Sequence, residues 1–326
     1  MKRSIKIAGI IFGGLALLII AVITYINVAF PNVDSPKNIT VEITPERLER
    51  GKYLANHVSV CMDCHSERDW SKFSGPIKPG TFGKGGDRFD HSMGFPGIVY
   101  AKNITPASLS NWSDGEILRA ITMGVTKEND PLFPIMPYYS YNNLTEEDAY
   151  SIIAYIKTLQ PIESSFPSAD LDFPLNFLVR TMPIKTYEPS KTVNKNNKLE
   201  YGKYLVSIAG CADCHTPTEK GEPIPNMDLA GGNEYHLPGG ILRAVNITPH
   251  ETSGIGSWTE EAFIQRFKMY DPDSTDYIAT NINDFNSIMP WTMYAGMTEE
   301  DLSAIYTYLM STKPIANSVA RWEPKK

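Results

Sequence analysis

The residues CMDCH at 61–65 and CADCH at 211–215 contain all four cysteines of this 326-residue chain. Each stretch ends in a histidine that directly follows the second cysteine. Three kinds of site use the Cys-x-x-Cys spacing: a redox-active dithiol, half of a zinc site, and a pair of thioether bonds to a haem. The five residues alone are compatible with all three, so the surrounding sequence has to distinguish them.

The two cysteine motifs belong to an internal repeat that covers most of the chain. Several landmarks recur in the same order, with offsets of 143 to 153 residues between the copies. Besides the cysteine motifs they are GKYL at 51–54 and 202–205, NITP at 103–106 and 246–249, IMPY at 135–138 with IMPW at 288–291, and TEED at 145–148 and 298–301. The sequence therefore predicts two similar domains, residues 40–160 and 196–326, joined by a linker at 161–195.

Each repeat predicts a small all-α unit of three short helices separated by long loops rich in Pro and Gly. Five of the six predicted helices start at a serine or threonine, which are preferred N-cap residues. Pro45 fits the first position of its helix, and three acidic residues follow Thr145 and Thr298, where the helix dipole favours them. The predicted starts are Thr44, Ser113, Thr145, Thr259 and Thr298. Such helices offer little apolar core, so we expect another group to fill the centre of each unit.

The histidine after the second cysteine favours covalent attachment of haem c. Thioether bonds from Cys61 and Cys64 would hold the macrocycle on a helix, so that His65 reaches the iron from one face. The corresponding residues of the second repeat are Cys211, Cys214 and His215. A zinc site would need further thiolates or histidines at finger-like spacing, and a thioredoxin-like dithiol would need a βαβ context. Neither is present in the sequence, which therefore predicts two haem c groups.

Methionine is the usual second axial ligand, opposite histidine, in electron-transfer cytochromes. Of the twelve methionines, Met136 and Met289 recur at matching positions of the repeat and are each followed by a proline. We therefore expect these two to bind iron, together with His65 and His215. The nearest competitors are Met93, Met123, Met293 and Met297.

Other residues near these motifs have two interpretations each. Trp112 and Trp258 are expected either to donate to a haem propionate or to fill the core. Tyr100 and Arg243 align just before the NITP turns, and either reach a propionate or lie on the surface. His57 has no counterpart in the second repeat and is expected to be structural.

The N-terminus contains 24 uncharged residues from Ile7 to Phe30, enough for a helix to cross the hydrocarbon core of about 30 Å. The alternative is a cleaved signal peptide, but the run exceeds the usual apolar region and no Ala-x-Ala site follows. Residues 1–30 are therefore expected to form a single membrane anchor. Basic residues precede the run, which places the N-terminus in the cytoplasm and residues 31–326 on the periplasmic, outer side of the inner membrane.

The formal charge is −7, and three of the basic residues precede the apolar run, so the remainder is more acidic still. Such a surface is unsuited to nucleic acid, because phosphates repel it. It suits a basic protein partner instead.

Together these motifs resemble the multihaem cytochrome c subunits of membrane-bound alcohol, gluconate and sorbitol dehydrogenases. The resemblance is carried by GKYL before Cys-x-x-Cys-His, NITP before TSGIGSW at 252–258, FPIMPYYSY at 133–141 and the TEED segments. DLDFPLNFLVRTM at 170–182 resembles the linker between the first two haem domains of those subunits. The resemblance implies haem ligation by the cysteines, histidines and two methionines named above.

The expected function is transfer of single electrons by a membrane-anchored dihaem cytochrome c without a catalytic site of its own. It would connect a periplasmic dehydrogenase, or a quinol-oxidising complex, to a terminal acceptor such as an oxidase or a soluble cytochrome. One alternative is the c-type subunit of a haem-copper oxidase. Another is a dihaem peroxidase or thiosulfate-oxidising enzyme, which needs one haem with an open or labile position. A quinone site is compatible with the sequence, but no residue signals it.

Overall fold

A computed structural model describes residues 2–271 and 278–325 of the chain. The first element is the helix α1 (Lys2–Ala29). Its segment Ile5–Ala29 has a mean hydropathy of 2.7, and no part of its most apolar window is buried against the rest of the chain. The expected apolar segment is thus a helix long and apolar enough to cross a membrane.

The first repeat contains mainly short helices around two short strands. The predicted N-caps are present: Thr44 accepts from the amide of Arg47, and Ser113 forms the expected capping box with Glu116. In chain order the elements are α2 (Pro45–Tyr53), a π-helical turn (Leu54–Val58), α3 (Cys61–Cys64), β1 (Arg88–Phe89), a 3₁₀ turn (His91–Met93), β2 (Gly97–Tyr100), α4 (Pro106–Leu109), α5 (Asp114–Met123), α6 (Tyr138–Tyr141) and α7 (Glu146–Ile156).

The linker is followed by a second repeat whose main helices come in the same order as those of the first. The linker contains β3 (Asp170–Leu171), α8 (Leu175–Leu178) and a 3₁₀ turn (Val179–Thr181). The second repeat contains α9 (Lys198–Ile208), α10 (Cys211–His215), β4 (Thr218–Glu219), β5 (Glu222–Pro223), β6 (Glu234–Leu237), β7 (Gly240–Arg243), α11 (Glu260–Lys268), α12 (Trp291–Tyr294), α13 (Glu299–Ser311) and β8 (Trp322–Pro324).

The prediction of an all-α fold is not confirmed as it stands, because small antiparallel sheets accompany the helices. Within the described residues the sheets have the strand orders β1-β2-β3, β4-β5 and β6-β7-β8. In both repeats a hairpin pairs with a strand that follows the last helix: Gly97 lies opposite Leu171, and Gly240 opposite Pro324. These strands have two to four residues, too few for the alternation by which sequence reveals a strand.

The glycine of each GKYL motif lies where the first and last helices of a repeat cross. A Cβ on Gly51 of α2 would lie 1.9 Å from the carbonyl oxygen of Ser151 in α7. A Cβ on Gly202 of α9 would lie 1.9 Å from the carbonyl oxygen of Ala304 in α13. Only glycine permits this approach, which fixes the helix pair that begins and ends each repeat.

The tyrosine of each GKYL motif contacts the other repeat. Tyr53 donates to Asp301 at 2.7 Å, in the first turn of α13. Tyr204 donates to Asp148 at 2.6 Å, in the first turn of α7. Both carboxylates are largely buried, so each hydroxyl supplies a hydrogen bond to a group with little access to water. The first helix of each repeat therefore contacts the last helix of the other in the same way.

Substitution of the crossing glycines should destabilise the fold. Gly51→Ala or Gly202→Ala forces two helices apart and should lower the free energy of unfolding by about 1–3 kcal/mol. The measurement is urea unfolding of the full chain in detergent. Gly13→Ala is the matched control, since a Cβ on this helical glycine meets no atom within 4 Å. Equal stability of Gly51→Ala and Gly13→Ala would contradict the close crossing.

Candidate functional site

Both cysteine motifs form short helices that begin in the same way. The residue before the first cysteine has left-handed backbone angles, with φ of 42° at Val60 and 64° at Gly210. Tyr141 and Tyr294 of the equivalent helices α6 and α12 each donate to the carbonyl two residues before the first cysteine. A buried tyrosine hydroxyl therefore holds the start of each cysteine helix. None of the four cysteines forms a disulfide.

The histidine rings are held by backbone carbonyl groups. His65 Nδ1 lies 2.6 Å from the carbonyl oxygen of Lys102, and His215 Nδ1 lies 2.7 Å from that of Val245. A carbonyl oxygen can only accept, so Nδ1 carries the hydrogen and Nε2 keeps its lone pair. Burial lowers the pKa of both imidazoles, which favours this neutral form. A neutral ring with a free Nε2, fixed through Nδ1, is suited to bind a metal.

The NITP turns supply those carbonyl groups. Lys102 and Val245 directly precede Asn103 and Asn246, which are buried. Each asparagine Oδ1 accepts from the amide and hydroxyl of the threonine two residues later. Each Nδ2 donates to the carbonyl of an isoleucine after the last helix, at 2.7 Å and 2.8 Å. The turn thereby joins the end of each repeat to the histidine of its cysteine motif.

A large cavity lies beside the first cysteine motif. Its volume is about 2120 Å³, beyond the roughly 300–1,000 Å³ usual for the pocket of one small ligand. The wall includes Cys61, Cys64, His65 and Met136 of the first repeat, and Cys214 of the second. Apolar residues of the wall include Val99, Ile104, Trp112, Phe133, Ile152 and Ile156. Thiols, a neutral histidine and a methionine around a large space fit a haem bound through two thioethers.

The methionine loops have the same backbone geometry in both repeats. Pro137 and Pro290, which follow the two methionines, have φ near −80° and begin α6 and α12. The carbonyls of Met136 and Met289 each accept an amide hydrogen bond of 2.8 Å from two residues later. Met289 is partly buried against the main core. Among the competitors, Met93 also lines the cavity, whereas Met123, Met293 and Met297 are buried in the core.

Fewer residues of the second site than of the first line the cavity. Cys214 is part of the cavity wall, but Cys211, His215 and Met289 are not. Cys211 and Met289 pack against the hydrophobic core, as Cys61 and Met136 also do. Its likeness to the first site therefore rests on the histidine, the asparagine turn and the methionine loop.

The thiols are unsuited to the two alternatives for the Cys-x-x-Cys spacing. Burial raises the pKa of Cys61 and of Cys211 to about 12, and it also raises the pKa of Cys64 and Cys214. A redox dithiol needs a thiolate, which these surroundings disfavour. In addition, the described ranges 2–271 and 278–325 contain no group of three or more His, Cys, Asp or Glu side chains that could hold a metal ion.

A buried arginine connects the first cysteine motif to the second methionine loop. Arg68 donates to Asp63 at 2.8 Å and to the carbonyls of Ser74 and Gly75 at 2.6 Å and 2.8 Å. The hydroxyl of Ser74 donates in turn to the carbonyl of Met289 at 2.6 Å. The first repeat therefore supports the methionine loop of the second. No sequence pattern predicted this contact.

The remaining candidates have different surroundings in the two repeats. Trp112 and Tyr100 line the cavity, and Tyr100 stacks on Phe166. Arg243 pairs with Glu234 and Glu323 at 2.7 Å and 2.8 Å, so two carboxylates already occupy its guanidinium. Trp258 is partly exposed. His57 Nδ1 lies 2.9 Å from the carbonyl oxygen of Met293, at a contact between the repeats.

Loss of an NITP asparagine should weaken the fold around the histidine. Asn103→Ala or Asn246→Ala leaves buried backbone groups without partners, which should cost about 1–3 kcal/mol. The matched control is Asn143→Ala, because Asn143 makes only exposed local hydrogen bonds. The measurement is urea unfolding of the purified protein. If the buried and exposed variants lost the same stability, the structural role of the turn would be refuted.

Comparison with known proteins identifies a family and several relatives of this chain. Residues 199–313 match the family model for cytochrome c. The fructose dehydrogenase cytochrome subunit of Gluconobacter japonicus is 31% identical over 290 residues, which cover 83% of this chain and 54% of that protein. The gluconate 2-dehydrogenase cytochrome c subunit of Pantoea cypripedii is 26% identical over 284 residues, which cover 81% and 59%.

A third relative is closer in length. The diheme cytochrome c-type protein of Cereibacter sphaeroides is 28% identical over 258 residues, which cover 76% of this chain and 80% of that protein. By contrast, the chain spans between half and two thirds of the length of the fructose and gluconate dehydrogenase subunits. The chain is therefore homologous to the cytochrome c subunits of fructose and gluconate dehydrogenases, and it carries a cytochrome c domain, the kind of domain that binds haem c covalently.

Proposed function

We propose that this chain is a membrane-anchored dihaem cytochrome c that transfers single electrons and has no catalytic site of its own. The observation that carries the proposal is the repeated histidine geometry, in which Nδ1 of His65 and of His215 is fixed by a backbone carbonyl. Haem c held at these positions would supply an iron that takes up and gives back one electron. The electrons would pass between a periplasmic dehydrogenase, or a quinol-oxidising complex, and a terminal acceptor.

Each repeat is proposed to be one cytochrome c domain, at residues 40–160 and 196–326. Thioethers would form at Cys61 and Cys64 in the first domain and at Cys211 and Cys214 in the second. His65 with Met136, and His215 with Met289, would provide the axial ligands. Two observations support the presence of two haem groups: the equivalent hydrogen bonds in both repeats, and the diheme relative of similar length.

Contacts between the repeats support transfer of electrons from one site to the other. The hydroxyl of Ser140 in α6 donates to Asp213 inside the second cysteine motif, at 2.9 Å. Ser74 of the first repeat holds the Met289 loop. These hydrogen bonds fix the two motifs against each other, and a fixed separation keeps the rate of transfer constant.

The helix α1 is proposed to be a single-pass anchor in the inner membrane, with both haem domains on the periplasmic side. Its length and hydropathy support the span, and the basic residues in its first turns support this orientation. The proposed partners are a dehydrogenase subunit, an oxidase or a soluble cytochrome. The acidic balance of the chain favours a basic partner surface, with an attraction that weakens as salt rises.

Removal of a methionine ligand should open one iron. Met136→Ala and Met289→Ala should each let one haem bind carbon monoxide and should lower its reduction potential, because a thioether ligand raises it. The measurements are the reduced absorption spectrum with and without carbon monoxide, and a redox titration. Met93→Ala is the matched control, since Met93 also lines the cavity.

Two results would contradict this assignment. If Met93→Ala opened an iron and Met136→Ala kept the parent spectrum, the ligand would be Met93. If the unaltered protein bound carbon monoxide at one haem, an enzyme such as a dihaem peroxidase would explain the chain better than a relay.

A further inference from the structure

The linker contains a short apolar segment that lies against the end of α1. We call residues 173–184 the linker segment; it comprises α8, the following 3₁₀ turn and the residues on either side. Its sequence is FPLNFLVRTMPI, in which Arg180 is the one charged residue. The linker segment lies between the two repeats, so the repeat does not explain its apolar sequence.

Both ends of the linker segment are fixed to the first repeat. On one side β3 pairs with β2, so that Gly97 lies opposite Leu171. On the other side the amide of Ile184 donates to the carbonyl of Met123 at 3.0 Å. Its position is therefore set by the domain and does not depend on a membrane.

The linker segment is also joined to the residue at which the apolar helix ends. Arg180 donates to the carbonyl oxygen of Phe30 through Nη2 at 2.7 Å and through Nε at 3.1 Å. The helix α1 contacts both α8 and the 3₁₀ turn. A guanidinium at the C-terminus of a helix is stabilised by the helix dipole. The linker segment therefore lies level with the last turn of α1.

Large apolar side chains of the linker segment face outward at this level. Phe173 is 79% exposed and Leu178 is 43% exposed. Phe177 is half-buried and packs its ring edge-to-face against Phe173, with centroids 6.1 Å apart. On α1 itself, the exposed Tyr25 makes the same kind of contact with Phe30. A tyrosine and an arginine at one level are typical of a membrane–water interface.

We propose that the linker segment is a second membrane contact, which inserts Phe173 and Leu178 into the outer leaflet beside the anchor helix. The occupant of this apolar surface is the lipid bilayer, because the surface continues the lipid-facing surface of α1. The inference rests on the proposed role of α1 as an anchor. Two contacts at different places would hold the first repeat at a fixed tilt to the membrane, which a single helix does not.

Photo-crosslinking in the full-length chain tests this proposal. Phe173→p-benzoylphenylalanine and Leu178→p-benzoylphenylalanine are made separately, and each haem-loaded protein is irradiated in nanodiscs of phosphatidylcholine and phosphatidylglycerol. Lipid adducts are counted by mass spectrometry. Leu17 of α1 receives the same replacement and is the control for the anchor. Ile282 of the second repeat, which is 72% exposed, also receives it and is the control for ordinary exposure.

We expect Phe173 and Leu178 to give lipid adducts as Leu17 does, and several-fold more than Ile282. This proposal would be overturned if Leu17 gave lipid adducts while Phe173 and Leu178 gave no more than Ile282. That result would leave the anchor intact. Absence of adducts at Leu17 as well would overturn the anchor and this inference together. If irradiated cell membranes gave a protein adduct at Phe173 in place of lipid, the surface would belong to a protein partner.

Discussion

In each repeat, one hydrogen bond joins the histidine of the cysteine motif to the carbonyl that precedes the NITP turn. The imidazole can donate from only one nitrogen when neutral, so this contact decides which nitrogen remains free for iron. The carbonyl is in place because the buried asparagine of the turn binds the chain after the last helix. That helix lies where it does because a glycine of GKYL lets the first helix cross it closely. The GKYL and NITP motifs thus act together, through the last helix of the repeat, to position the histidine.

The two repeats depend on each other as well as on their own cores. Each GKYL tyrosine satisfies a buried aspartate of the other repeat, and such hydrogen bonds to a charged group contribute about 1.5–3 kcal/mol each. Arg68 and Ser74 then connect the first cysteine motif to the second methionine loop. These hydrogen bonds hold the two repeats against each other, which suits a protein that passes electrons between fixed sites.

Features that depend on residues close together in the chain, or on the internal repeat, could be predicted from the sequence. The N-caps at Thr44 and Ser113 and the apolar helix at the N-terminus are where it predicts them. The short strands were missed, because two to four residues show no alternation. Arg68 was missed for another reason: Thr218 stands at its place in the second repeat, so no repeated pattern marks it. Reciprocal contacts such as that of Tyr53 with Asp301 depend on the packing of the repeats, which their sequences do not encode locally.

The central claim is that each cysteine motif holds its own haem. The most direct measurement is the mass of the intact chain after denaturation, since only covalently bound haem is retained. We expect two haem groups on the unaltered chain, and one on each of the double variants Cys61→Ser/Cys64→Ser and Cys211→Ser/Cys214→Ser. A single haem on the unaltered chain, or no loss of haem from one of the double variants, would contradict it.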